Sequence, residues 1–510
     1  MAKRTAIVII HGIGEQVPMA TLNSFIDAAW TDDASLVDKG KPDPNTGGER
    51  TVNRSWSKPD ARSRSFELQL ITTESDNEDR RHDFYEYYWA HRVSGTTWEQ
   101  VRTWLLGLML RNPFTRVPRS VLPIWIAMWL FLFIFLAISL IAALAASSTP
   151  LQPGATAFPP ARWTLTLAAH VQALPKALIA AVWGISSLAL AALTGKMVDV
   201  AGDVVRYVEA SPMNIAIRQS IRENGVRLIE NLMGIDEQGV LGRTDYDRII
   251  VVGHSLGTII AYDILTHAFG RNNIRLDDAK LPGFRQEKRI ELEAMVREAE
   301  ADPPRSLDIE AFRALQDACR AELNALGNPW IVSDFISLGS PLTHAEFLLA
   351  TSKEELEAAK DKRVLPTCPP VLEYDRSTRL KHFTYRSKAV RGEGKANDPD
   401  APRMPHHAAL FAYTRWTNIY SRSCAILIGD LVSGRLGDAF GLHRKDGSPL
   451  SGIADIAVLP SDDGQAEDRR TRLLTHLRYW DLTYARRDRS DDVPFHIRAL
   501  RKALDLARRA

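Results

Sequence analysis

Cysteine is scarce. The 510 residues hold three, Cys319, Cys368 and Cys424, far apart and odd in number. That excludes a disulfide-stapled scaffold, offers no metal-ligand spacing and fits a reducing compartment. An excess of either charge is also missing: 64 Lys and Arg stand against 62 Asp and Glu, for a net charge of +2. Composition therefore gives no electrostatic footprint for a nucleic-acid partner. Internal repeats are absent. No signal peptide is visible either, because Lys3-Arg4 leads only into the short apolar run Ala6 to Ile10, which ends at His11-Gly12 and reads as a strand. No motif implies a metal or an organic cofactor.

Charge vanishes altogether from Val121 to Ala146, 26 residues that at about 1.5 Å per residue suffice to cross a bilayer with some tilt. A second run, Ala177 to Gly195, is shorter and richer in small residues. Pro123 and Pro175 fall where helix first turns tolerate proline. Ala180, Gly184 and Ser187 recur at spacings of four and three, predicting a face for close helix approach. The pattern predicts a membrane-embedded helical hairpin over 106–198, with spans about 121–146 and 177–195. If the flanking halves share one sheet, the number of crossings must be even. Arg102, Arg111, Arg116 and Arg119 precede the hairpin and Lys196 and Arg206 follow it, whereas the loop between holds only Arg162 and Lys176. This bias predicts an integral membrane protein with its globular part in the cytoplasm, a bacterial inner membrane being the expected setting.

The remainder reads as α/β. Residues 1–105 form the first part of the globular domain and 199–510 the rest. Thr5 to Ile10, Phe66 to Thr73 and Phe84 to Ala90 read as strands, with a polar surface excursion over 31–65. Asn214 to Met233 has the apolar spacing of an amphipathic helix. Trp330 to Leu338 and Tyr413 to Tyr420 read as later strands, and Leu473 to Leu482 as the opening of the final helical region. Charged helical stretches over 270–327 and a mixed segment over 350–410 are insertions placed as a cap would be, or as solvated additions. The basic tail from Phe495 is an amphipathic helix suited either to anionic lipid or to closing the sheet.

The chemistry centres on residues 248–263. Arg248 to Val252 form a buried strand, Gly253-His254-Ser255-Leu256-Gly257 a turn, and Thr258 to Asp263 the start of a helix. Such a turn lifts a serine above the sheet on a strained backbone, with Gly253 and Gly257 where side chains would collide. A serine hydroxyl needs a base, and the base an orienting acid. The chain order Ser, acid, His points to His476, with His443 and His496 as rivals. It points to Asp430 in the turn Gly429 to Gly434, with Asp438 and Asp455 as alternatives. The oxyanion requires amide donors. Leu256, directly after the serine, supplies one, and the loop His11-Gly12-Ile13-Gly14 the other through Ile13, Gly12 permitting the turn. His11 reads as a structural hydrogen-bonding residue.

Ile7-Val8-Ile9-Ile10-His11-Gly12-Ile13-Gly14, Gly253-His254-Ser255-Leu256-Gly257 and the order Ser255, Asp430, His476 resemble the lipase-like serine hydrolases of the α/β-hydrolase superfamily. The resemblance covers about 1–30, 205–270, 330–345 and 413–485. It implies an α/β-hydrolase fold, a mostly parallel sheet flanked by helices, here interrupted by the hairpin. It also implies hydrolysis of lipid or acyl esters. Related sequences often place Asp-Pro soon after a strand like Trp416 to Tyr420; here Cys424-Ala425 stands there and the aspartate follows later. A serine thioesterase or peptidase of the same fold, or a membrane scaffold using that fold for binding, are the other readings.

Overall fold

The computed structural model describes residues 3–13, 17–60, 62–63, 67–76, 79–93, 98–118, 121–146, 175–281, 284–301, 305–386, 402–421, 429–444, 446–458, 475–482 and 493–507. Gly14, Cys424, most of the loop after Ala146 and part of 350–410 lie outside them. The chain divides into two compact units: Met1–Ser94 together with Ala210–Ala510, and Gly95–Glu209.

The larger unit is built on an eight-stranded sheet. Its strands are β1 (Lys3–Ile10), β2 (Ser55–Pro59), β3 (Gln69–Thr73), β4 (Arg80–Tyr87), β5 (Arg248–His254), β6 (Val332–Leu338), β7 (Arg415–Tyr420) and β8 (Ala454–Ala457). Their spatial order is β8-β7-β6-β5-β1-β4-β3-β2. Every pairing from β8 to β4 is parallel, whereas β3 and β2 run antiparallel. Parallel strands covered on both faces become continuous apolar runs. Accordingly Ala6 to Ile10 and Ile249 to Val252 are all at most 1% exposed. β2 carries no such run; it is an exposed edge ending in Pro59, a residue suited to an edge because it lacks an N–H to offer.

Helices cover both faces. On one, α1 (Ala20–Ile26) and the tail helix α10 (Phe495–Leu504) bring Leu22, Phe25 and Leu500 against Ile7, Ile9 and Ile250. The tail helix thus spends its apolar face on the sheet, the closing role rather than the lipid-facing one. On the other, α5 (Ile215–Leu232) packs on α6 (Leu256–Asn272), whose Tyr262 joins Phe335, Phe411, Trp416 and Phe440 in an aromatic cluster.

The 270–327 block forms α7 (Glu287–Glu300) and α8 (Ile309–Ala325), packed on each other. It is not placed as a cap. Arg313 donates to the Trp416 carbonyl (3.2 Å), Gln316 to those of Phe411 (2.7 Å) and Thr414 (3.1 Å), and Arg320 to that of Tyr413. All of these acceptors lie before or at the start of β7, at the leading end of the parallel strands. From 350–410, α9 (Lys353–Asp361) is followed by chain that accepts from the Tyr262 hydroxyl at Pro366 (2.7 Å) and from Asn273 at Pro405 (2.8 Å), so this segment covers α6.

That leading end is closed by an ion cluster. Arg248 reaches Asp334 (2.7 Å), the Ser333 hydroxyl (2.8 Å) and the carbonyls of Leu504 and Asp505, while Arg415 takes the other Asp334 oxygen (2.6 Å). Burial by itself would raise the Asp334 carboxyl. The two guanidiniums outweigh it and hold the group far below the usual carboxylate range.

The smaller unit contains α2 (Trp98–Met109), α3 (Leu122–Ala146) and α4 (Lys176–Val208). α3 includes one stretch, Trp125–Ala143, long and apolar enough to cross a membrane, and none of it is buried; the apolar start of α4, Lys176–Leu188, is shorter. The two helices pack together. Of the small residues expected to form a contact face on α4, Ala180 is exposed and a side chain at Gly184 would meet only open space, while the Ser187 hydroxyl is buried. The unit starts at Gly95 and ends at Glu209, beyond the 106–198 read from hydropathy, because α2 and the charged end of α4 pack within it.

Candidate active site

β1 leads by way of β4 to one side, and the chain then returns to place β5 on the other side of β1. Open parallel sheets form a crevice at the carboxyl ends of strands where the order reverses in this way. His11-Gly12-Ile13 and Ser255 both follow those ends.

Ser255 joins β5 to α6 with φ 52° and ψ −128°. A non-glycine residue there costs ~1–3 kcal/mol and persists only where its surroundings over-determine it. They do. Its N–H donates to the Leu338 carbonyl (3.0 Å), and its own carbonyl accepts from the Thr258 N–H (2.9 Å) and hydroxyl (2.7 Å). The Thr258 hydroxyl in turn meets that of Ser340 (2.7 Å). A Cβ on Gly257 would lie 2.2 Å from the Ile10 carbonyl oxygen, so only glycine lets α6 start against the end of β1. Gly253 abuts Thr258 in the same way, and Gly12 passes against the Ser255 Cβ.

The structure brings the three side chains singled out from sequence into one chain of hydrogen bonds. His476 Nε2 lies 2.8 Å from Ser255 Oγ, and its Nδ1 lies 3.0 Å from Asp430 Oδ2. Asp430 is ionised and can only accept, so Nδ1 carries the proton and Nε2 accepts from the serine hydroxyl. His476 sits on a single 3₁₀ turn, Thr475–Leu477, where the sequence had suggested the approach to a longer helix.

Asp430 is buried and anchored twice more, by the Tyr479 hydroxyl (2.7 Å) and the Val432 N–H (2.9 Å). Burial pushes its carboxyl up, but the bond and charge of His476 and the Tyr479 and Ser433 hydroxyls prevail and hold it down at about 2. Tyr479 is kept protonated by its burial and by the Asp430 charge, so it remains a donor. Its oxygen also meets Ser433 (3.0 Å) and accepts from the Ser421 N–H (3.1 Å). Gly339, at φ +58° after β6, leaves the space this pair needs: a Cβ there would lie 2.6 Å from the Tyr479 ring and 3.2 Å from both Asp430 Oδ2 and His476 Nδ1.

Asp455, an alternative acid, instead accepts from Asn418 (2.7 Å) and from the Leu436 and Gly437 amides (both 2.9 Å), which fixes the loop carrying Asp430. Asp438 is exposed. His443 faces Glu357, and His496 Nε2 donates to the Asp481 carbonyl; neither approaches the serine.

Two further histidines frame the site. His254 is fully enclosed and its Nε2–H donates to the His476 carbonyl (2.8 Å), with Trp480 edge-on at 4.8 Å. Burial, and then the neighbouring His476, push it down to about 3, so it stays neutral. His11 Nδ1–H donates to the Gly12 carbonyl (2.9 Å) and its ring stacks on Trp89 at 5.1 Å, which shapes the loop leading to Ile13. Burial lowers it to about 4.

Leu256 opens α6, so no carbonyl of its own helix can reach its N–H. That amide directly follows the serine, and Ile13 follows the glycine that touches it. Among the described residues no His, Cys, Asp and Glu cluster is arranged to hold a metal ion. No protein-family model, curated protein or solved structure matches this chain.

Sequence reasoning missed Tyr479, Gly339 and the link from His254 to His476. Gly339 had a signal, because Gly-Ser-Pro ends a buried strand. Tyr479 had none, because a tyrosine three residues past a histidine is ordinary.

Proposed function

We propose that this protein is a membrane-anchored serine hydrolase of the α/β-hydrolase fold that cleaves carboxylic esters of lipid or acyl type. The observation that carries the reading is the hydrogen-bonded series Asp430–His476–Ser255 on a serine with positive φ. Ser255 Oγ attacks the ester carbonyl carbon as His476 Nε2 takes its proton. Asp430 stabilises the resulting imidazolium, and the Leu256 and Ile13 amides receive the oxyanion. Collapse expels the alcohol, which takes the proton back from His476. Water activated by the same histidine then releases the acid and restores Ser255.

Membrane anchoring is supported by α3, apolar and unburied, and by the sheet itself. β1 pairs with β4 before the helical excursion and with β5 after it, so both ends of the excursion belong on one side of any bilayer. One crossing by α3 requires a return, and the start of α4 supplies it. The arginine bias supports a cytoplasmic α/β unit. Tethering the hydrolase unit to a bilayer through its own chain favours lipid and acyl esters over soluble substrates.

The test is labelling of the full chain by a fluorophosphonate, beside Ser255→Ala and His476→Ala. Labelling should vanish in the first and fall at least a hundredfold in rate in the second. Equal labelling of Ser255→Ala would refute the hydrolase reading. A panel of phospholipids, acylglycerols, short esters, thioesters and peptides then sorts the substrate class. Protease protection in intact cells should expose only 147–176.

A further inference from the structure

The unit Gly95–Glu209 carries apolar surface that the hairpin does not account for. On α2, Val101, Leu108 and Met109 are buried, while Leu106 is 45% exposed; Leu110, directly after the helix, is 73% and Phe114, on the turn beyond, 93% exposed. Arg102, Leu106 and Leu110 stand four residues apart, on one face of the helix. The turn is ordered by its own bonds, from the Phe114 N–H to Asn112 Oδ1 (2.9 Å) and from the Arg116 N–H to the Asn112 carbonyl (2.9 Å). A phenylalanine held this far out on an ordered turn is costly in water.

The depth of this surface can be read from two tryptophans. Trp125 and Trp129, in the first turns of α3, donate their indole N–H groups to the carbonyls of Leu108 (3.2 Å) and Met109 (3.1 Å). These are last-turn carbonyls of α2, beyond reach of the helix's own amides; that of Leu108 also accepts from the Arg111 N–H (3.3 Å). Tryptophans at the end of an apolar span mark the headgroup level of a bilayer. The carbonyl bonds therefore tie the end of α2, and with it the neighbouring exposed Leu106 and Leu110, to that same level. Charge agrees: between Glu99 and Asp199 the sequence contains no Asp or Glu, while Arg102, Arg111 and Arg116 lie on or beside α2.

We propose that α2 and the turn 110–118 form a platform embedded in the headgroup layer of the bilayer, with its apolar side chains among the upper acyl chains and its arginines on anionic lipid phosphates. The proposal rests on α3 spanning the membrane. It gives α2 a role separate from both the hairpin and the Ser255 site.

The experiment uses the full chain with Cys424→Ser, because Cys319 and Cys368 are buried. It carries an environment-sensitive fluorophore on Leu110→Cys, Leu136→Cys or Val240→Cys and is reconstituted into phosphatidylcholine vesicles with or without phosphatidylglycerol. The label at 110 should be quenched by a headgroup nitroxide and shielded from aqueous iodide, that at 136 by a nitroxide deep in the acyl chain, and that at 240 by iodide. Phosphatidylglycerol should increase shielding at 110 severalfold, and Arg102→Gln with Arg116→Gln should abolish that increase. Iodide quenching at 110 equal to that at 240, with 136 still deep, overturns the platform and leaves the hairpin standing. A label at 136 that no deep nitroxide reaches overturns the membrane reading as well. Equal shielding at 110 in both vesicle types overturns the anionic preference.

Discussion

The two ends of the parallel sheet are built on opposite terms. At the carboxyl ends, Ser255 holds a costly backbone angle, and His476, about a fifth exposed, bridges it to a buried acid. At the leading ends, Arg248, Asp334 and Arg415 form a buried ion cluster with satisfied partners, sealed by the last carbonyls of α10. Strain and access mark one end; closure marks the other. The same strands thus separate a reactive end from a holding end, and substitutions at the two should differ in kind.

The largest contrast is expected from the two aspartates. Asp430→Asn should slow fluorophosphonate labelling by about 10³- to 10⁴-fold, because His476 loses the partner that fixes its tautomer and its charge. Its melting temperature should change far less than its rate. Asp334→Ala should do the reverse, leaving the buried Arg248 without a carboxylate and Arg415 with Asp317 alone, at a cost of about 3–5 kcal/mol in chemical denaturation, with labelling per folded molecule unchanged. A folded Asp334→Ala protein that no longer labels would break the comparison.

Acid comes next. His11 and His254 flank the reactive end, His82 and His406 lie elsewhere in the same unit, and burial lowers all four. Their neutral forms are favoured by folding, so that stability is intact above the unfolded value near 6.5 and is lost as pH falls toward about 4, or about 3 for His254. Asp334 and Asp430 have the opposite history: their contributions persist until pH drops below the unfolded carboxylate value near 3.8. Glu86, raised to about 7 by burial, works the other way, but the four histidines outnumber it, so denaturation midpoints should decline from pH 6.5 downward, before Asp334 or Asp430 protonates. His254→Asn should flatten that decline by up to about 1.4 kcal/mol per pH unit; an unchanged slope would show that His254 already titrates freely.

The smallest effect belongs to Tyr479→Phe. It removes one donor to Asp430 but leaves His476 and the Val432 amide in place. A fivefold to tenfold slower labelling rate is expected, on the scale of one ordinary net hydrogen bond, because two other donors still hold the acid. A loss as deep as that of Asp430→Asn would mean that the tyrosine, rather than the amide and histidine, sets the acid.

What was readable in advance follows from how local each signal is. The elbow is local: a buried strand, a glycine-flanked serine and a helix start lie within residues 248–263. β1 and β5 were visible as apolar runs because parallel strands are covered on both faces; β6 and β7, which carry Asp334 and Arg415, read as strands from their aromatic and β-branched residues. Asp430 and His476 depended on chain order and turn chemistry, and their meeting with Ser255 needed the fold. The edge strand β2 escaped notice because Ser55–Pro59 has no buried face to produce a pattern. The helical block 270–327 resembled a cap because sequence reports where an insertion enters, not toward which end of the sheet it leans. The small face of α4 misled in part for a similar reason: three small residues on a helix say nothing about which side its neighbour occupies.

The placement of β1 has a consequence for how the molecule comes into being. Its partner β5 begins at Arg248, after the excursion through α2, α3 and α4 has been synthesised. Until then the nascent chain carries a central strand with one unpaired edge, a state open to mispairing. The order also acts as a timer. Ser255 cannot meet Asp430 and His476 before the helical excursion has been synthesised, because all three follow it in the chain. Ribosome-stalled chains ending before residue 248 should leave β1 open to proteolysis, and chains that expose α10 should close it.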